Sequence, residues 1–340
     1  MFLQKYKNAR IVFFRISKVM NKTIGIALTG GSGHLGGVLL PMLINQGFRV
    51  RALVRNHQAH FPEQVEQVLG DLDSKESLQA LVQGMNVLIH SAALISVSGD
   101  PHGLVHKTNV LGTKQVLNAA REAGLSRFIY IGSVHAYQNR PHLERLDESR
   151  PMVVHGGAYD RSKSEAQRWV LAQNQPGFET LALCPTSMIG PPDLKPSLLG
   201  QAIHDIAAGK IPAVFPGGFD FCDVRDVAQA ILNAIHAGRP GQAYLLGGRW
   251  YSMRDMGKHI GAIIGKPIRL PEIPFWLGKL LLPFSRIYAK MSGQKTEFTA
   301  EALDILRFGP RLVSSDKAKR ELNYHCRDLS ESLNDVLKGK

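Results

Sequence analysis

A strand-like stretch at residues 23–29 runs directly into Gly30-Gly31-Ser32-Gly33-His34-Leu35-Gly36, and a helical pattern continues toward Gln46. This junction constrains the fold more than any other part of the chain. Glycine at 30 permits a tight strand-to-helix turn, glycine at 33 lets a phosphate approach the backbone, and glycine at 36 lets the helix lie close on the strand. The helix start adds unpaired N–H groups and a positive dipole end, which together suit a pyrophosphate. Glycine turns are common by themselves. The weight of this one comes from its place at the head of an alternating strand–helix series.

That series continues. Residues 48–54, 66–68, 86–90, 127–131 and 180–184 read as strands, and 104–123 and 158–173 as helices, while Ser74 is placed to cap a helix through Leu78 and Leu81. Alternation of this kind predicts an α/β chain, a Rossmann-type doubly wound parallel sheet with helices on both faces. After Gly190 the beat is lost among Pro191, Pro192, Pro196, Pro212 and Pro216, which read as irregular loops. A helix at 224–236, a strand at 243–246 and a helix capped by Ser252 resume it, and three short helices close the chain. The expected division is a dinucleotide-binding domain at 23–190 plus 222–247 and a smaller, interleaved substrate lobe at 191–221 and 248–340. Residues 1–22 read as a disordered tail, or as residues upstream of a start at Met20.

A formal charge of +13 invites a nucleic-acid reading, but the basic residues are spread along the chain and no aromatic-basic motif accompanies them. Such a surface suits anionic small molecules equally. The three cysteines, Cys184, Cys222 and Cys326, stand far apart in no CxxC pattern, and the histidines show no metal-binding spacing. This argues against a disulfide framework and a metal site and points to a reducing, cytoplasmic setting. Apolar residues at 273–291, among them Phe275, Trp276, Leu277 and Leu280, are interrupted by Lys279, Arg286 and Lys290. That segment reads as a lobe helix walling an apolar pocket, with peripheral membrane contact as the alternative.

Two features bear on chemistry. At the end of the second strand, where an acid would bind a ribose 2′-hydroxyl, the chain has Val54-Arg55-Asn56, so Arg55 favours NADP(H) over NAD(H). Tyr159 and Lys163 stand one helical turn apart, so a cation faces a phenol whose ordinary titration point is about 10. Beside a hydride carrier, that pair forms a proton donor and acceptor.

Taken in order, several motifs resemble an extended short-chain dehydrogenase/reductase of the NAD-dependent epimerase/dehydratase superfamily. They are the glycine turn, Gly70-Asp71-Leu72, His90-Ser91-Ala92-Ala93, Asn109-Val110-Leu111-Gly112-Thr113, Ile131-Gly132-Ser133, Tyr159 to Lys163, and Asp223 to Ala228. The nearest likeness is to the dihydroflavonol reductase and 3β-hydroxysteroid dehydrogenase-like branch. The resemblance implies that Ser133 orients the substrate oxygen, Tyr159 exchanges its proton, and Lys163 binds the nicotinamide ribose and depresses the phenol. It implies cofactor contacts at Gly30, Gly33, His34, Leu35, Gly36, Arg55, Asp71, Leu72, Ala92, Ala93 and Pro185. It also implies a homodimer through the helices at 109–123 and 159–173. Asn109 is expected to be structural at least as much as catalytic, and His135 to lie near the substrate.

Val134-His135 after Ser133 lacks the acid pair of sugar-nucleotide dehydratases. Cys184-Pro185-Thr186-Ser187 lacks the asparagine of many sugar-nucleotide epimerases. The expected activity is therefore ketone–alcohol interconversion on a hydrophobic small molecule. The rivals are a nucleotide-sugar epimerase with the same tyrosine and lysine, and a non-catalytic dinucleotide-binding sensor or assembly subunit.

Overall fold

The computed structural model describes residues 24–194, 196–280, 282–283 and 298–339. The expected tail at 1–22 lies outside them, as do residues 281 and 284–291 of the segment 273–291. Strand β1 (Gly25–Thr29) is buried at all five positions, with Ile26 and Leu28 facing one core and Ala27 the other. A strand covered on both faces needs apolar residues throughout, which is why it shows no alternation. Helix α1 (His34–Asn45) follows, then β2 (Arg49–Val54), β3 (Val65–Leu69), α2 (Lys75–Val82), β4 (Val87–His90), α3 (Thr113–Glu122) and β5 (Arg127–Ile131). Next come β6 (Arg145–Leu146), α4 (Ala158–Ala172) and β7 (Glu179–Pro185).

After Pro185 the chain leaves the main sheet for β8 (Ser187–Ile189), α5 (Leu198–Ala207) and β9 (Gly218–Asp223). It returns through α6 (Val224–Ala234) and β10 (Gln242–Leu246). Then follow β11 (Arg249–Ser252), α7 (Met253–Ile263), α8 (Ala300–Phe308), β12 (Leu312–Val313), α9 (Asp316–Leu322) and α10 (Leu329–Lys338).

The main sheet runs β10-β7-β5-β4-β1-β2-β3, with every neighbouring pair parallel. One face packs on α1, α6 and α9, the other on α2, α3 and α4. A second sheet, β11-β9-β8, covers a separate core built from Ile203 and Ile206 of α5, Met256 and Ile260 of α7, and Leu333 of α10. The fold is thus a Rossmann-type α/β sheet with a smaller, interleaved C-terminal part. Among the described residues no helix is long and apolar enough to cross a membrane. Within the described part of 273–291, Trp276 and Leu280 are exposed and Phe275 stacks on Phe215.

Local signals account for much of this. Ser74, Asp223 and Ser252 each accept a backbone N–H at the start of α2, α6 and α7, a contact worth about 1 kcal/mol. By contrast α1 has no side-chain cap at Gly33. Five buried aliphatics, Leu35, Val38, Leu39, Leu40 and Leu43, hold it instead. At roughly 2 kcal/mol each they outweigh a missing cap. The structure departs from the expectation of irregular loops after Gly190. Helix α5, capped by Ser197, and strand β11 are present there, and β8 forms just before Gly190. Strands of three or four residues are too short to show a period, and the flanking prolines hide the helix.

Candidate active site

In the main sheet the chain moves from β1 to β2 on one side while β4 lies on the other. The carboxyl ends of β1 and β4 therefore border the topological switch point, where open α/β sheets bind ligands. Gly30 turns there with φ +78, and a Cβ would stand 2.6 Å from the Ala92 nitrogen at the exit of β4. At Gly36 a Cβ would strike the carbonyls of Gly30 and Gly31. Protein packing demands glycine at both places. At Gly33 the nearest protein atom to a Cβ is 3.4 Å away, an ordinary contact, so packing leaves the space above this residue open. With no side-chain cap and no acid in the first turn of α1, this cradle fits an anionic pyrophosphate.

The remaining cofactor candidates occupy distinct places. Leu35 is buried in the core and offers only its backbone, and the His34 ring is held at 2.6 Å from the Gly190 carbonyl. Arg51 is consumed by the carbonyls of Ala80 and Gln83 and by Glu66. Arg55, at the exit of β2, is exposed and makes no hydrogen bond or ion pair among the described residues. One Asp71 oxygen accepts the backbone N–H groups of Asp73 and Ser74, leaving the other available. Leu72 packs on Gly112, Ala92 and Ala93 follow β4, and Pro185 is buried at the end of β7.

Thr113 donates to the Asn109 carbonyl at 2.7 Å, so it accepts from His90 Nε2 at 2.9 Å. His90 Nδ1 then accepts from Thr29 at 2.7 Å. Burial drops this imidazole to about 3, with the Lys163 charge adding to the effect, so it stays neutral and ties β1, β4 and α3 together beneath the groove.

Ser133 follows β5 and caps a short turn, accepting from the His135 N–H at 3.2 Å. Tyr159 and Lys163 stand on α4. Burial pushes the Tyr159 phenol up to about 12; a hydrogen bond with Ser133 works against this and the Asp160 charge adds to it. Lys163 is buried, donates to the Ile131 carbonyl at 2.9 Å and is lowered by that burial to about 8. The expectation that Lys163 depresses the phenol is therefore not what this arrangement displays: its ammonium is turned to a carbonyl, and Tyr159 lies above its ordinary value. Asn109 lies in a π-helical turn, Lys107–Gly112, that interrupts the expected helix ahead of α3. Its amide accepts from Leu94 N–H at 2.7 Å and donates to the Leu94 carbonyl and to Ser162 at 2.9 Å. Those bonds pin the loop after β4 to α4.

A model of the NAD dependent epimerase/dehydratase family matches residues 26–247, well over half of the chain. The chain belongs to that family. A protein of Synechocystis sp. provisionally named dihydroflavonol 4-reductase is 31% identical over 323 residues, covering 91% of this chain and 92% of the relative. The 4-hydroxy-2-methyl-3-oxo-4-farnesyl-3,4-dihydroquinoline-1-oxide ketoreductase of Stigmatella aurantiaca is 31% identical, covering 92% and 95%. The crystal structure of gox2253 is 29% identical, with a TM-score of 0.78 over 93% of this chain and 97% of that one. UDP-glucose 4-epimerase of Thermotoga maritima shares the fold, with a TM-score of 0.75, at 18% identity, over 93% of this chain and 98% of that one. This epimerase/dehydratase-family member is an NAD(P)-dependent enzyme of the extended short-chain dehydrogenase type.

Beside Tyr159 the family member carries a cavity of about 530 Å³ that reading the sequence did not disclose. His135 lines it, its ring edge-on to that of Tyr159 with 6.0 Å between centroids and its Nδ1 3.1 Å from Asp160 Oδ1. Glu301 of α8 also lines it; burial raises its carboxyl, and the Asp160 charge adds to that. Arg140 lies over Phe308, 3.9 Å from the ring centre, on the same wall. Only His135 carried a signal in sequence, through its nearness to Ser133. Glu301 and Phe308 are brought in by α8 from far along the chain. Among the described residues no group of three or more His, Cys, Asp or Glu is placed to hold a metal ion.

Proposed function

We propose that this enzyme is a cytoplasmic, NADP(H)-preferring reductase/dehydrogenase that interconverts a ketone and an alcohol on a hydrophobic small molecule. The observation that carries it is the Tyr159 phenol, held protonated by burial, with Ser133 acting to lower it. It stands one turn from Lys163 on α4, which Asn109 ties to the loop after β4. Arg55, exposed and without a partner among the described residues, supports the phosphorylated cofactor, since its neighbours Val54 and Asn56 are not acidic. The cavity wall mixes Val134, Val153, Ile305 and Phe308 with His135, Arg140, Asp160 and Glu301, which suits a substrate with an apolar body and polar groups to anchor it. The names of the two relatives, a dihydroflavonol reductase and a ketoreductase, describe the same class of reaction.

A nicotinamide, when bound, would supply the hydride. The chain's own residues do the rest. Gly30 and Gly36 shape the tight turn, Gly33 would leave room for the pyrophosphate, and the N–H groups of His34 and Leu35 would hold it. Ser133 holds the carbonyl oxygen of the substrate. Tyr159 delivers its proton to that oxygen as charge develops there, and Lys163, with one N–H on the Ile131 carbonyl, has two more with which it would hold the nicotinamide ribose. His90 and Asn109 keep the two sides of the groove in place.

The test is a cofactor-absorbance screen of a dihydroflavonol, a 3-oxoester, a 3-oxosteroid and UDP-glucose with NADPH and NADH side by side. Net NADPH oxidation by a carbonyl compound is expected. The Tyr159→Phe enzyme should lose about 10²–10⁴-fold in turnover with NADPH affinity nearly unchanged. Epimerised UDP-glucose with no net cofactor consumption would replace this reading, and full activity in the Tyr159→Phe enzyme would remove the assigned acid.

A further inference from the structure

The His34 ring is unexpected for a residue at the first position of a phosphate-binding helix, because its partner lies 156 residues away. Nε2 stands 2.6 Å from the Gly190 carbonyl oxygen. A carbonyl only accepts, so Nε2 carries the proton, and the bond persists whether the ring is neutral or charged. Gly190 is buried, with φ +122, and a Cβ there would lie 2.9 Å from both carboxylate oxygens of Asp223. Only glycine can sit between His34 and that carboxylate.

Asp223 is itself immobile. It is 1% exposed, caps α6 through the Arg225 N–H at 2.8 Å, pairs with the Arg225 guanidinium and accepts from Ser332 of α10 at 2.6 Å. Gly190 directly follows β8, which pairs with β9 in the second sheet and begins two residues after β7 leaves the main one. A single imidazole therefore joins the turn that would receive a pyrophosphate to the segment that leads into the substrate side.

We propose that His34 is a positioning residue: filling the pyrophosphate end of the groove orders residues 185–190 through the His34–Gly190 bond, before substrate enters. This rests on the dinucleotide reading above. An anion drawn to the N–H groups of α1 fixes residue 34, and the ring on that residue fixes Gly190. Coupling of this kind is reciprocal, so a disordered 185–190 segment weakens the phosphate site by the same factor.

The test is hydrogen–deuterium exchange on the full chain with ADP, which fills the pyrophosphate end and has no nicotinamide to touch residues 185–190 directly. In the unaltered protein ADP should slow exchange at the glycine turn and also at 186–190. His34→Phe keeps the bulk of the ring and lacks the donor. It should retain protection at the turn, lose it at 186–190 and bind ADP about threefold to tenfold more weakly, the loss of one neutral hydrogen bond. His34→Gln, whose amide can donate to the same carbonyl, should restore both, and His34→Ala serves if the phenylalanine variant fails to fold. Equal protection at 186–190 with and without the donor, or none in the unaltered protein with ADP bound, overturns the coupling. If neither ADP nor NADPH changes exchange or melting of the unaltered protein, the dinucleotide reading itself fails, a separate outcome.

Discussion

Lys163 is 3% exposed, and burial lowers its titration from 10.5 to about 8. At ~1.4 kcal/mol per unit, holding this charged group in the fold costs about 3 kcal/mol at pH 7. The sign follows from proton counts. Below pH 8 the folded and unfolded chains both keep the proton and the full cost is present. Between about 8 and 10.5 the unfolded chain binds more protons, so stability rises with pH, and above 10.5 the cost is gone.

Lys163→Met keeps most of the stem and removes the charge. It leaves the Ile131 carbonyl without its donor, a loss of about 1 kcal/mol. The variant should therefore be about 2 kcal/mol more stable than the parent at pH 7 and about 1 kcal/mol less stable near pH 10.5. Urea unfolding of both proteins without cofactor, repeated across that range, reads the difference directly, since titrations common to both cancel. Activity should be lost throughout, which would make Lys163 a residue held at the expense of stability. A variant less stable at pH 7, or a difference that does not change with pH, refutes the reasoning.

Arg55→Glu should move the ratio of kcat/KM for NADPH over NADH toward NADH by about 10–100-fold, the worth of one charge-assisted contact; an unchanged ratio would mean that Arg55 does not meet the 2′-phosphate. Gly36→Ala should lower Tm and abolish NADPH binding, because its methyl strikes two carbonyls. Gly33→Ala should melt almost as the parent does yet bind NADPH at least about tenfold more weakly, and normal binding by it would place the pyrophosphate elsewhere.

The parts of this protein readable from sequence are those set by neighbours in the chain. The buried run of β1, the caps at Ser74 and Ser252, the glycine spacing and the Tyr159–Lys163 turn are all decided within a few residues, where strand and helix periods and capping chemistry act. Such local rules were enough to reach the sheet, while the family and most candidate groups of the site came from the resemblance of motifs taken in order. They were not enough for α5 or β8, which are short and framed by proline. Nor could they decide what lies far apart in the chain but close in space. Arg51 and Arg55 look alike in sequence, and packing alone makes one a structural tie to α2 and leaves the other open. His34 reads as a phosphate ligand until Gly190 arrives from across the fold. Glu301 and Phe308 become walls beside Tyr159 only when α8 docks. Tertiary structure decides these because charge, burial and hydrogen-bond partners depend on distance through space, which spacing along a chain does not encode.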